Sequence, residues 1–279
     1  MPPTALGTFL GSNLGTTLGW DSDASELAAP EASLSYSLFS WMGSDYYAIS
    51  GGKVTSFWDK VAAGVGARAI DANHAFSQGT TGNQVVTPAA DALFGNRLSA
   101  AFVVANNTYY DSSLSPTPWR FSHDGTGMYV YAICASTSTA ASQVVTGTRT
   151  TSTGITLYRA QAGNVCNFYD GNVSTTVLGY SGASWVTNSA ELWRWGYRTA
   201  DIPDSAMVRK GTLSNVSNQL SAPASGDPQN TMRIGSDNFG NPFGGNMCDV
   251  MFVSGGPLDS TLDANVKRYA YLKYGIVSA

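Results

Sequence analysis

Two carboxylates on one strand or facing strands could hydrolyse a glycoside, one protonating the leaving oxygen while the other attacks or activates water. The chain offers little for that chemistry. It has three glutamates, Glu26, Glu31 and Glu191. The first two lie in an N-terminal segment that reads as separate from the body, and Glu191 stands beside Trp193 and Trp195 with no second acid near it. No Asp-x-Asp pair falls on a predicted strand. A nucleophilic triad needs a histidine oriented by an acid and facing a hydroxyl or thiol. The two histidines, His74 and His123, both read as surface-loop residues, and no Gly-x-Ser-x-Gly elbow is present. Phosphate-cradling and dinucleotide glycine motifs and the His-Glu-x-x-His zinc motif are also absent. These patterns exclude the common catalytic classes and predict a protein that is not an enzyme.

Binding chemistry has more candidates. Trp193, Trp195 and Tyr197 alternate on one face of a predicted strand, where a sugar could stack or where a sandwich core could form. Calcium takes six to eight hard oxygens. Asp237, Asn238 and Asn241, in a Gly-rich loop, could supply some of them, as could Asp201 and Asp204, although all five also suit solvated turns. Cys134, Cys166 and Cys248 sit far apart in apolar runs, without a CxxC. They read as buried small hydrophobes, with one disulfide between two of them left open.

The elements that would position these residues are mostly strands. Gly127–Ala135 is apolar on both faces, as a strand buried on both sides must be. Gly154–Ala160 and Asn164–Asp170 form a hairpin pattern about Gln161-Ala162-Gly163, and Ser189–Thr199 alternates sharply. Thr231–Gly235 and Met247–Ser254 are further apolar strands. One helix is predicted near the end. Asp259 or Ser260 caps it, and Leu262, Val266, Tyr269 and Leu272 or Lys273 share a face. Gly275 supplies its stop. Many short strands with Gly, Asn and Asp turns predict an all-β sandwich.

Residues 1–33 differ from this body. Leu6, Phe9, Leu10, Leu14, Leu18 and Trp20 are scattered through a Gly-punctuated segment, which predicts an extended arm that packs on a neighbour or on the body of its own domain. The sandwich is expected to span 34–279. Charged residues make up only 12% of the chain, about half the usual share, and the surface is instead Ser-, Thr- and Asn-rich. Burying such a surface against other subunits costs little desolvation. The net charge of −4, without a basic run, argues against nucleic acid as a partner. No apolar run is long enough to span a bilayer, and the N-terminus has no signal-peptide pattern, so a membrane partner and secretion are not expected.

The C-terminal residues resemble a known family. Met232-Arg233-Ile234-Gly235, then Phe243-Gly244-Gly245-Asn246-Met247-Cys248-Asp249-Val250-Met251-Phe252, then Tyr271-Leu272-Lys273-Tyr274-Gly275-Ile276, are similar to the end of concanavalin A-like, laminin G-like jelly-roll domains. There the pattern runs "l-r-I-G", "f-x-G-x-i-a-e-v-i-v" and "yL-x-x-K-Y-G", and Asp249 here replaces the usual Glu. Val54–Lys60 resembles the family's early "V-x-x-W-x-D-k". The resemblance implies a two-sheet antiparallel jelly roll with a short C-terminal helix behind an extended arm. Glycosidases of that fold carry a Glu-x-Asp-x-x-Glu type motif, which is missing here. Relatives often hold calcium, and many are bacteriophage virion or bacterial surface proteins. The expected function is therefore a virion structural protein, a capsid decoration, head-fibre, collar or tail component made in the host cytoplasm. It would be attached through the arm to other virion proteins or to copies of itself. The alternative is a carbohydrate-binding module or adhesin on a phage or cell surface, touching a host glycan.

Overall fold

The computed structural model describes residues 33–34, 37–61, 74–138, 142–148, 154–160, 163–170, 173–180, 186–198, 200, 206–210, 213–217, 226–237, 240–257 and 259–277. The arm residues Leu6, Phe9, Leu10, Leu14, Leu18 and Trp20 lie outside them.

The first strands are β1 (Ser40–Ser50), β2 (Lys53–Asp59), β3 (Ala75–Ser77), β4 (Ala89–Asp91), β5 (Arg97–Phe102) and β6 (Tyr110–Ser112). The middle of the chain gives β7 (Met128–Ser136), β8 (Ser142–Gly147), β9 (Gly154–Ala160), β10 (Gly163–Asp170) and β11 (Val173–Tyr180). Then come β12 (Glu191–Tyr197), β13 (Ala206–Lys210), β14 (Leu213–Ser217), β15 (Arg233–Ile234) and β16 (Gly245–Ser254), followed by helix α1 (Ser260–Tyr274). Every pairing is antiparallel. The ladder runs β11-β10-β9-β8-β15-β6-β3-β2-β1-β16-β7-β12-β13-β14, with β5 joined to β16 and β4 to β5. It folds over on itself, so that β11 lies against β13 and β14. The result is the all-β sandwich that the strand pattern predicts.

Two apolar layers explain the doubly apolar strand. Along β7, Met128, Val130, Ala132 and Cys134 face the core between the sheets, with Phe57, Phe76, Tyr110 and Trp193. Tyr129, Tyr131, Ile133 and Ala135 face a second core, shared with Leu262, Val266, Tyr269 and Tyr274 of α1. A strand with helix on one side and sheet on the other can spare no polar face. The helix ends match the sequence pattern. The Asp259 carboxylate accepts from Thr261 N at 2.8 Å, and Gly275 takes the left-handed conformation at φ 69°. Leu34 and Leu38 are buried under the same helix. Gly245 opens β16 at φ 155°. A Cβ there would stand 2.1 Å from the Ala135 carbonyl oxygen, so only glycine lets β16 and β7 close.

Candidate functional site

Trp193, Trp195 and Tyr197 share one face, as the alternation predicts, and that face is core. Their exposures are 0%, 0% and 3%. The two indoles stack at 6.2 Å, and Trp193 Nε1 donates to Glu191 Oε2 at 2.8 Å. No ligand reaches these rings, so the stripe is corrected from a candidate sugar platform to sandwich core. On the opposite face of β12, Leu192 packs toward α1 and Arg194 pairs with Asp263 of the helix. Among the described residues the exposed aromatic rings are instead Tyr271 on α1 and, on the sheet, Tyr46, 43% exposed, and Trp58, 38% exposed. Tyr46 and Trp58 flank the Tyr47–Phe57 strand pair, whose own rings turn toward the core.

In the Gly-rich loop, the Asp237 carboxylate turns inward to Asn241, accepting from its backbone N at 3.0 Å and from its Nδ2 at 2.9 Å. Both oxygens are thereby occupied in closing the loop. Asn238, Asp201 and Asp204 lie outside the described residues. Among the described residues, no group of three or more His, Cys, Asp or Glu side chains is placed to hold a metal. Cys134 and Cys248 are free thiols on opposite faces of the sheet. Burial pushes both thiols well above their ordinary pKa. The Cys166 side chain lies outside the described set.

The histidines overturn the surface-loop expectation: His74 is 2% exposed and His123 3%. His123 lies between Ser122 and the Gly226 carbonyl. His74 joins three elements. Its Nδ1 donates to Asp59 Oδ2 at 2.7 Å, and its Nε2 lies 2.8 Å from Ser112 Oγ. Ser112 Oγ also accepts from Trp119 Nε1 at 3.1 Å and from Leu114 N at 3.1 Å. Its one proton therefore goes to His74 Nε2. Asp59, His74 and Ser112 thus have the connectivity of a Ser-His-Asp triad. Yet Ser112 is only 5% exposed and its lone pairs are engaged, so no carbonyl reaches the hydroxyl. The arrangement works as a pin between β2, β3 and β6. Ser112 and His74 stand far apart in sequence with no motif between them, so the sequence carries no sign of it.

The residues that carry the family resemblance dock the helix. Asp249, fully buried, accepts from Trp41 Nε1 at 2.7 Å, from the Tyr269 hydroxyl at 3.1 Å and from the Tyr274 hydroxyl at 2.5 Å. Lys273 Nζ donates to the Tyr269 hydroxyl at 2.7 Å and to Asp45 Oδ2 at 2.7 Å. Lys60 reaches the same Asp45 carboxylate. Partial desolvation acts to raise the pKa of Asp45, whose side chain is still 34% exposed, but Lys273 and Lys60 outweigh that and hold it well below the usual carboxylate range.

One concave site lies on the sheet face that carries α1. A cup of about 240 Å³ opens between β4, β5 and the start of β16. At its base, the Asp91 carboxylate accepts from Leu93 N at 2.9 Å, from Ser99 Oγ at 2.9 Å and from Asn246 Nδ2 at 2.5 Å. The Leu93 bond caps a single 3-10 turn, Ala92–Phe94. That turn packs Phe94 edge-on against Tyr274 at the end of α1, with ring centroids 6.0 Å apart. The walls are small and apolar, with Ala89, Ala90, Ala92, Ala101 and the half-exposed Val86. Asp91 and Asn246 are themselves half-exposed, and beyond these bonds the carboxylate keeps one acceptor site and the amide its oxygen and second hydrogen. Such a cup can bind a small molecule that has hydroxyls on one side and C–H groups on the other. Two faint signs of it lie in the sequence: Asp91 isolated in an Ala run, and Asn246 as the polar residue after the motif glycine.

No protein-family profile matches the chain, and no curated protein matches it. Solved structures do. Trypanosoma rangeli sialidase with a covalently bound difluorosialic acid matches at a TM-score of 0.50 and 8% identity, over 90% of this chain and 38% of that one. Domain 4 of AbnA, an arabinanase from Geobacillus stearothermophilus, in complex with arabinotriose, matches at 0.48 and 10%, over 71% and 82%. The CBM40 of a Ruminococcus gnavus sialidase, bound to α2,3-sialyllactose, matches at 0.44 and 17%, over 56% and 90%. At such identities the likeness to the sialidase is one of fold.

Proposed function

We propose that the chain is a non-catalytic, saccharide-binding β-sandwich and that the Asp91 cup is its binding site. The observation that carries the reading is the composition of that cup: a carboxylate, an amide and a hydroxyl at the base, and alanine walls around them. Vicinal sugar hydroxyls both donate and accept. Asp91 offers an acceptor, and Asn246 offers one donor and one acceptor side by side. The flat C–H side of a pyranose would lie along Ala89, Ala90 and Val86. A site built to pair hydroxyls rejects analogues that lack them, because its own polar groups are then left unpaired. Of the two functions expected from the sequence, this is the alternative. The chemistry of the cup favours it over a purely structural role.

The test is a glycan array with the full chain, followed by calorimetry on the hits. Ala89→Trp, at an exposed edge-strand position on the same face as Asp91 and Ser99, should fill the cup and abolish binding while leaving the unfolding temperature unchanged. Binding that survives Ala89→Trp rules out the cup as the site.

Attachment within a virion through the 1–33 segment is a separate proposal. It rests on the low charge and on the apolar arm, and the burial of Leu34 and Leu38 under α1 would give such an arm a fixed root. Removing residues 1–33 should leave a folded sandwich that no longer incorporates into particles.

A further inference from the structure

We infer that the cup takes the terminal residue of a neutral saccharide and discriminates against acidic sugars. The inference rests on the saccharide reading above and adds its charge class and its reach.

The charge argument starts from the lining. Nine residues bound the cup, and the only charged side chain among them is Asp91. Each hydrogen bond on its carboxylate comes from a neutral donor: Leu93 N, Ser99 Oγ and Asn246 Nδ2. Arg97 stands directly across from Asp91 in the β4–β5 register but makes no ion pair with it, and Lys273 lies farther along on α1. Arg97 donates through Nε to the Lys273 carbonyl at 3.2 Å, and Lys273 reaches back to Asp45 and Tyr269. A uronic or sialic acid carboxylate seated here would meet the like charge of Asp91, which no basic side chain bonds. Like charges at close range cost affinity wherever solvent is displaced. A neutral hydroxyl in the same place gains a charge-assisted hydrogen bond instead.

The reach argument is geometric. About 240 Å³ is below the size that encloses a drug-sized ligand. The 3-10 turn Ala92–Phe94, fixed by Phe94 against Tyr274, stands at the side of the cup toward α1. One ring fits, and the rest of a glycan leaves through the open side.

The experiment uses the full chain and matched ligands that differ only at C6. These are methyl glucoside against methyl glucuronide, and methyl galactoside against methyl galacturonide, with lactose against 3′-sialyllactose as a longer pair. The expected result is at least tenfold tighter binding of the neutral member, with the gap narrowing at high salt as the repulsion is screened. In Asp91→Asn, whose folding is checked by circular dichroism, the ratio should fall several-fold. Should Asp91→Asn fail to fold, the salt dependence of the wild-type ratio decides instead. Equal or tighter binding of the acidic members, lost in Ala89→Trp, overturns this inference and leaves saccharide binding standing. Absence of binding by any member overturns both.

Discussion

Replacing Asp249 with leucine should detach the support of α1, and the cost can be worked from its contacts. The carboxylate serves three buried donors: Trp41 Nε1, the Tyr269 hydroxyl and the Tyr274 hydroxyl. Each orphaned buried donor costs about 1–3 kcal/mol. Leucine also removes a buried charge, which returns part of that sum. The net expectation for Asp249→Leu is a loss of about 3–5 kcal/mol. In a domain of this size that is a fall in unfolding temperature of roughly 6–12 °C or more. Asp249→Asn keeps an acceptor oxygen and the side-chain shape, and should lose about 1–2 kcal/mol. Urea unfolding followed by near-ultraviolet dichroism reads both, because Trp41, Tyr269 and Tyr274 are the reporting chromophores. A double-mutant cycle makes the reasoning sharper. Tyr274→Phe should destabilise the native protein, yet be neutral or stabilising in the Asp249→Leu background, where its hydroxyl has become an orphan. An Asp249→Leu protein within about 0.5 kcal/mol of the parent would refute the account of how the helix is held. So would additive effects in the cycle.

Further outcomes are expected elsewhere. Trp193→Ala and Trp195→Ala should each lose about 3–5 kcal/mol in urea titrations; a fully stable variant that has lost glycan binding would show these rings to be a ligand platform after all. Gly245→Ala should prevent β16 from closing on β7, so that the protein is recovered unfolded or insoluble, and a soluble variant with native dichroism would contradict this. A fluorophosphonate probe should leave Ser112 unmodified in the folded protein, and a mass-spectrometric adduct at Ser112 would show the Asp59–His74–Ser112 pin to be reachable. Burial raises the pKa of the Tyr110, Tyr131 and Tyr274 hydroxyls. Their contribution is therefore complete below about pH 10, the unfolded value, and is lost as pH rises through the folded values. Stability measured by denaturant titration should fall steeply above that pH, and a flat profile to pH 12 would count against the burial. Asp45 has the opposite sign. Its lowered pKa contributes stability above about pH 4 that fades as pH falls, so Asp45→Asn should show a shallower acid limb than the parent.

Much of the fold was legible because burial leaves a periodic mark. β7 is apolar at every position since one face meets the opposite sheet and the other meets α1, and β12 announced its inward face through Trp193, Trp195 and Tyr197. The helix showed both its ends, in Asp259 and Gly275. What those marks could not convey was which buried face was which: a core stripe and a sugar platform read alike until the opposing sheet is in place. The histidines failed for another reason. His74 follows a Gly- and Ala-rich stretch and looks like a loop residue, but its two nitrogens find Asp59 and Ser112 only once β2, β3 and β6 pair. The cup was nearly invisible because it is assembled from Asp91, Ser99 and Asn246 across three strands, and because its walls are alanines, which leave no chemical signature. The motif residues Asp249, Lys273 and Tyr274 were visible as a resemblance, and their shared contacts with Trp41 and Tyr269 give the physical reason they occur together.

The antiparallel pairing of β1 with β16 also sets how the protein bears force. Ser40, near the start of β1, lies opposite Phe252, near the end of β16 and just ahead of α1. The chain before β1 passes beneath the helix, where Asn265 Nδ2 donates to Ser33 Oγ at 3.3 Å. Tension applied through residues 1–33 therefore arrives first at Leu34 and Leu38 and only then at the β1–β16 ladder, which it would open bond by bond, like a zipper. A load entering from this end would meet those two leucines and the underside of the helix before the ladder that closes the sandwich.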